Sequence, residues 1–398
     1  GFLLPYHEYL ELDEAIITEK TGLSKSQAIK DIKLTLDKLG DSEKIFNELS
    51  YGCEYVSNHS MLIILNAARL CLENVKKHGL VGGDWDLQLR WIDDNVAQVK
   101  SLIGPFPSFA EGLRAIGFNY AYLIEQDLRN GGYCGTKDNP WEAFEKLING
   151  KIKMNSDAIY NIELPNYKKT WNGIAKESKQ VLELLSRFEI DADTIYDWYA
   201  DSDWYDALIE NPYLLSEQSN TIGGLTPEMV DLGVIADPEI QGKYVPEAPS
   251  RIDTKIDERR IRAYVVHKLK LQSLEGDTLM SVSELNDYLE DVLSNDNLNL
   301  PVHFFKTNKD FISESLQFIN DDAAVQLYDF YDMEEYLRQV FKERAKSNVK
   351  IPLKEDWATR VKSVAGYNEK DERSVEAAKT QIKALEMFGT KKICVLTD

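Results

Sequence analysis

The 398-residue sequence is poor in the residues that carry most simple chemistry. Its four cysteines, Cys53, Cys71, Cys134 and Cys394, form no CxxC pair and have no histidine at zinc-ligand spacing. They read as reduced thiols, and a cytoplasmic location is the expectation. The five histidines (7, 59, 78, 267 and 303) show no ligand spacing, and no Ser–His–Asp or Cys–His arrangement can be argued from them. No apolar run approaches the roughly 18–20 residues that a membrane span requires, so no membrane contact is expected. The opening GFLLPYHEYL lacks the basic start, apolar core and small-residue cleavage site of a secretion signal. No stretch fits GxxxxGK[ST], and none of the glycine pairs at 82–83, 131–132 and 223–224 leads into Lys-Ser/Thr. Sustained β alternation is also scarce.

What is present is helical periodicity and acid. Apolar residues make up 43% and charged residues 28%, as in a globular chain with a sizeable core. QAIKDIKLTLDKLG places Ile29, Ile32, Leu36 and Leu39 at helical spacing and ends on Gly40, a helix stop. MLIILNAARLCLENVKKHG repeats the pattern through Leu62, Leu65, Leu72 and Val75 up to Gly79. SKQVLELLSRF sets Val181, Leu184, Leu185 and Phe188 on one stripe. VSELNDYLEDVL predicts a helix opened by Ser283. MEEYLRQVFKERAK predicts an amphipathic helix with Met333, Leu337, Val340 and Phe341 inward. The chain is therefore expected to be mainly α and multi-domain, with a strand opening in the terminal KKICVLT, residues 391–397. Breaks are expected near 131–141, in the proline-bearing KYVPEAPSRIDTK (243–255), and in SNVKIPLKEDW (347–357). These suggest an N-terminal helical domain over 1–150, an acidic aromatic-rich region over 151–250, a further helical domain over 251–347, and a separate segment over 348–398.

The net charge of −21 is uneven, at −7 for residues 1–150, −10 for 151–250 and −4 for 251–398. Such an excess of acid opposes broad nucleic-acid binding, which depends on neutralising phosphate, so any contact must be local. DERRIRAYVVHKLK (257–270) is the most basic stretch. Arg259, Arg260, Arg262 and Lys268 could meet a DNA backbone, or could simply suit the helix dipole and the surface. The glycine turn in IGPFPSFAEGLRAIGF (103–118) could present N–H groups to a phosphate, or form a packed corner between helices. EIDADTIYDWYADSDWYDALIE (189–210) holds eight acids and no Lys or Arg. Three readings stay open for it: a solvated acidic helix, a hard-cation site, or a protein interface using Trp198 and Trp204.

Several elements resemble, in order, the N-terminal part of RecD-like superfamily 1 DNA helicases. ENPYLL (210–215) is followed by DERRIRAYVVHKLKLQSLEGDTLMSVSELNDYL (257–289), and LYDFYDMEEYLRQVFKERAKS (327–347) is similar to the family's next element. SVEAAKTQIKALEMFGTKKICVLTD (374–398) resembles the entry to the first motor domain, just before the phosphate loop. The family's Gly-Ile-Gly hairpin is matched only in part by Ile222-Gly223-Gly224, and Asp398 stands where a glycine is usual. In residues 1–150, ELSYGCEYVSNHS, GDWDLQLRW, IGPFPSFAEGLRAIGF and DNPWEAF resemble an extension of some large RecD-like proteins. The resemblance implies that 348–398 begins a RecA-like α/β motor domain, with Gln381 contacting the adenine of ATP. It also implies ATP, Mg²⁺ and DNA, either single strands or duplex ends, as ligands of the intact motor, in repair, recombination or defence. Residues 1–398, lacking the phosphate loop, are then expected to hydrolyse no ATP alone. The alternative is a non-catalytic adaptor that binds a protein partner through Trp198 and Trp204.

Overall fold

The structure, a computed structural model, describes residues 4–39, 45–46, 49, 56–154, 157–219, 224–294, 299–320, 323–348, 355–364 and 366–393. It is mainly α, with one three-stranded sheet among the described residues. Most of the expected terminal strand, with Gly40, Cys53, Cys394 and Ile222–Gly223, lies outside the described residues.

Three short helices, α1 (Tyr6–Glu11), α2 (Glu14–Thr21) and α3 (Lys25–Ile32), lie against the long α4 (Asn58–His78). They bury Tyr9, Ile17, Ala28, Ile32 and Val75 together. Helix α4 keeps its expected stop: Gly79 adopts φ 60°, a left-handed geometry that glycine takes without a Cβ clash. Helix α3 stops earlier than its apolar spacing suggests. Ile32 belongs to this N-terminal cluster whereas Leu39 belongs to the main core, so the chain must turn between them. Lys38 holds that turn by donating from Nζ to the carbonyls of Lys30 and Asp31 (2.7 Å each) and Lys33 (3.0 Å). A single cation thus satisfies carbonyls that the helix end leaves open.

After α5 (Trp85–Leu102) come α6 (Phe109–Ala115), α7 (Ala121–Asn130), α8 (Pro140–Ile148), α9 (Leu164–Gly173) and α10 (Lys176–Leu185). Then follow α11 (Ala192–Ala200), α12 (Tyr205–Glu210), α13 (Leu214–Glu217), α14 (Pro227–Val234) and α15 (Pro238–Gln241). Their buried residues form one core from Leu39 to Ala263, which takes in residues on both sides of the boundary expected at 150. Trp141 of α8 stacks on Trp171 of α9 with centroids 5.3 Å apart, and Phe118 stacks on Tyr167 at 4.2 Å. The indole N–H groups are satisfied, Trp141 by Ser186 Oγ (2.9 Å) and Trp171 by Glu145 Oε1 (3.0 Å). The glycine turn at 103–107 is a packed corner, in which a Cβ on Gly104 would collide with the Thr136 carbonyl oxygen.

The segment 243–255, expected as a linker, is instead packed. Ser250 Oγ donates to the Ile209 carbonyl (2.7 Å), and buried Ile252 bridges to Ile235 in parallel fashion. It leads into α16 (Glu258–Glu275), the wall shared by two cores. The second core runs from Ile261 to Val325 and is closed by α17 (Val282–Ser294), α18 (Phe304–Thr307), α19 (Lys309–Ile312) and the sheet. Strands β1 (Met280–Ser281), β2 (Leu316–Ile319) and β3 (Ala324–Leu327) pair antiparallel in the order β1-β3-β2, with Met280 opposite Val325 and Leu316 opposite Leu327. The residue that opens α17 is Ser281, not Ser283. Its Oγ accepts from Glu284 N (3.2 Å) while the Glu284 carboxylate accepts from Ser281 N (3.0 Å), a reciprocal capping box. Three helices remain: α20 (Tyr328–Lys346), α21 (Trp357–Lys362) and α22 (Glu372–Thr390). The inward face expected on α20 is corrected, for the helix buries none of its residues.

Candidate functional site: an acidic aromatic cleft

Of the four basic residues expected at a DNA backbone, Arg260 and Arg262 lie in the interior, 4% and 2% exposed. Arg260 is paired with Asp231 on α14 (2.7 Å), whose carboxylate also accepts from the hydroxyls of Tyr213 (2.5 Å) and Tyr264 (2.9 Å). Burial works against the Arg260 charge, yet Asp231 and the phenols hold its pKa well above the usual range. Arg262 reaches Glu217 on α13 (3.0 Å), the Phe311 carbonyl (2.9 Å) and Glu314 (2.8 Å). Arg259 binds Asp257 (2.8 Å) and donates to the carbonyls of Glu210 and Pro249 (2.7 Å each). Lys268 lies over the Tyr288 ring at 5.4 Å. Arg260 and Arg262 therefore serve as internal joints between the two cores, which corrects the DNA contact expected at these two, while Arg259 and Lys268 are half-buried. Their neighbours carried the signal: α16 is apolar on every side through Ile261, Ala263, Tyr264, Val265 and Val266, and charge on such a helix is buried and paired.

The acidic stretch 189–210 builds a different site. Asp191 caps α11 by accepting from Thr194 N (2.8 Å), and buried Ile195 pins the helix to the core. This aims Asp197 and Trp198 at a cleft of about 630 Å³ that also takes Glu111 of α6, Tyr122 and Glu125 of α7, Glu189 and Leu225. Its described lining holds five carboxylates, Glu111, Glu125, Glu189, Asp191 and Asp197, and no lysine or arginine. Glu111 accepts from Tyr122 and from Arg114 (2.8 Å), Glu125 from Arg129 (2.6 Å), and Glu189 lies 2.7 Å from Nδ1 of buried His59. The hydrogen bond to Glu111, with some burial, pushes the Tyr122 phenol above its usual pKa. These contacts fix Glu111, Glu125 and Glu189 in place. Among the described residues no three His, Cys, Asp or Glu side chains converge to hold a metal ion. Spread carboxylates beside an indole suit an extended cationic ligand better than a point ion.

Trp198 and Trp204, expected together at an interface, do meet. Their rings cross at 76° with centroids 5.7 Å apart, Trp198 half-buried against the core and Trp204 37% exposed. Trp198 lines the cleft and Trp204 packs against its ring. Sequence reasoning missed Glu111, Tyr122 and Glu125, which come from helices some 70 residues away and carry no local pattern. Gln381 is exposed on α22, and the strand expected to follow it falls mainly outside the described residues. No helix among the described residues is long and apolar enough to cross a membrane.

No family model matches this chain, and no solved structure does. An uncharacterized protein of the archaeon Methanocaldococcus jannaschii is 23% identical over 372 residues, covering 84% of this chain and 30% of that protein. The chain thus spans less than a third of the length of the curated relative it matches.

Proposed function

We propose that this chain is the helical, partner-binding N-terminal region of a RecD-like ATP-dependent DNA helicase, and that its working surface is the acidic cleft. The observation that carries the choice of surface is the five-carboxylate lining beside Trp198, in which Arg114 and Arg129 are bound to Glu111 and Glu125 but do not themselves line the cleft. A segment rich in lysine or arginine fits it, since carboxylates take the charges and the indole takes an aliphatic stem or a guanidinium face. The occurrence of similar sequence within a much longer archaeal protein agrees with a role beside other domains. Exposed Gln381 offers a carboxamide donor and acceptor suited to an adenine edge. The phosphates and Mg²⁺ of ATP would be held by residues this sequence lacks, so no step of hydrolysis is assigned to it. The second reading, a non-catalytic adaptor, rests on the same cleft and needs no motor.

Two measurements test these readings. Calorimetric titration of the purified chain with a lysine- and arginine-rich peptide should show binding that weakens with salt and falls at least tenfold in Trp198→Ala. Unchanged affinity in that variant would remove the cleft from the proposal. In the full-length natural product, DNA-stimulated ATP hydrolysis whose KM for ATP rises in Gln381→Ala supports the helicase reading. A full-length product without ATPase activity leaves only the adaptor.

A further inference from the structure

Helix α20 runs for 19 residues with no buried side chain, although its sequence is amphipathic. Met333, Leu337 and Phe341 are 57%, 49% and 51% exposed, and Tyr336 is 66% exposed. At 100° per residue Met333, Leu337, Val340 and Phe341 fall within about 60° of one line along the helix. An apolar stripe of this length left in water marks a contact surface.

The charges say what covers it. The first ten residues, 328–337, carry Asp329, Asp332, Glu334 and Glu335 and no base. The last nine, 338–346, carry Arg338, Lys342, Arg344 and Lys346 against one acid, Glu343. A helix acidic at one end and basic at the other complements a copy of itself laid antiparallel. Each acidic half then faces a basic half, and the two helix dipoles also oppose favourably. The stripe is close to symmetric about Leu337, with Met333 four residues before it and Phe341 four after. In an antiparallel pair centred there, Leu337 meets Leu337 and each Met333 sulfur meets a Phe341 ring, a favourable contact. A parallel pair would set acid on acid and base on base. The intrahelical Arg338–Glu335 pair (2.7 Å) is half in water and can be shared across such a seam.

We propose that α20 is a self-association surface on which two copies of this chain pair antiparallel about a two-fold axis near Leu337. The pairing is isologous, as most homodimers are, and is independent of the reading of the acidic cleft.

The test is sedimentation or light scattering of the whole chain across 1–100 μM. Wild type should change from monomer to dimer over that range, and Leu337→Glu/Phe341→Glu should stay monomeric with an unchanged circular dichroism spectrum. A basic-end variant (Asp329, Asp332, Glu334 and Glu335 all →Lys) and an acidic-end variant (Arg338, Lys342, Arg344 and Lys346 all →Glu) should each be monomeric alone. Mixed together they should form a heterodimer, an outcome that simple loss of structure cannot produce. A monomeric wild type at 100 μM, a dimer that survives Leu337→Glu/Phe341→Glu, or a failure of the two charge variants to pair would each overturn the proposal.

Discussion

Replacing Arg262 by methionine tests whether the basic stretch is an internal joint. The guanidinium is 2% exposed, its partner Glu217 is 3% exposed, and they are 3.0 Å apart. Three other contacts of Arg262 matter less. Glu314 is mostly in water, so that pair is worth at most about 1 kcal/mol. The Phe311 carbonyl and the Phe311 ring 3.8 Å away add contact that methionine keeps in part. The largest loss comes from the Glu217 carboxylate, left buried with the Ser315 hydroxyl (3.3 Å) and the Lys270 ammonium nearby but no guanidinium. Stranding one member of a buried pair costs about 3–5 kcal/mol, a large fraction of a typical domain's stability. Urea denaturation at pH 7.5 should read that loss, and it should persist in 1 M salt, which screens surface pairs but not buried ones. The double variant Arg262→Met/Glu217→Leu should recover more than half of it. The loss should also shrink as the solution is acidified. Burial already raises the Glu217 pKa, and removing Arg262 raises it further, so stability present at low pH is lost as pH rises through that value. A cost below about 1 kcal/mol, or one abolished by salt, would refute the assignment of Arg262 as a buried joint. The same geometry makes joint charge reversal of Arg259, Arg260 and Arg262 a test of folding rather than of DNA affinity. Lys268→Glu, at the less enclosed end of the helix, tests a DNA contact without breaking the joint.

Two further predictions use the N-terminal half. The Tyr9 hydroxyl is hydrogen-bonded to His78 Nδ1 (3.0 Å) and His78 Nε2 faces Asp31 Oδ2 (3.3 Å), while burial pushes the imidazole pKa below its ordinary value. The unfolded chain then binds more protons, so this site's stability is intact above about pH 6.5 and is lost as pH falls toward the lowered pKa. Glu228, raised to about 7 by burial, slopes the other way, so the quantity to read is the melting difference between wild type and His78→Gln at pH 7.5 and 5.5. That difference should narrow on acidification; a constant difference would clear His78 of the effect. Gly104→Ala should cost about 1–3 kcal/mol in urea denaturation, because its methyl meets the Thr136 carbonyl and Lys137 holds that loop to the carbonyls of Lys100 and Ile103 (2.5 Å each) and of Glu239. A cost under about 0.5 kcal/mol would mean that the loop retreats freely.

The parts of the fold legible beforehand are those fixed by nearby residues. The α4 stripe and its Gly79 stop, and the Val181–Leu184–Leu185–Phe188 stripe through α10 to Phe188, follow from periodicity and caps that act within a turn or two. Helix α3 ends short of its apolar pattern because periodicity does not say which core each apolar residue enters. Ile32 and Leu39 share a spacing but serve different clusters. The cap of α17 falls two residues before the expected one, since Ser281 and Ser283 look alike until the Glu284 carboxylate chooses between them.

One wall of the cleft was legible. The acid and aromatic residues over 189–210 stand out in the sequence, and Trp198 and Trp204 form a ring pair there, but the opposite wall comes from α6 and α7 and leaves no local trace. Charge misleads for the same reason. An arginine at a helix start reads alike whether it faces phosphate, water or a carboxylate, and only the fold brings Asp231 to Arg260 and Glu217 to Arg262. Helix α20 shows the converse. Its amphipathic pattern promised a buried face, and among the described residues the chain does not bury it. Periodicity therefore encodes an amphipathic face without encoding what packs on it. Where the fold leaves such a face in water, the charges along the helix are the remaining information about its partner, and here they run from acid to base.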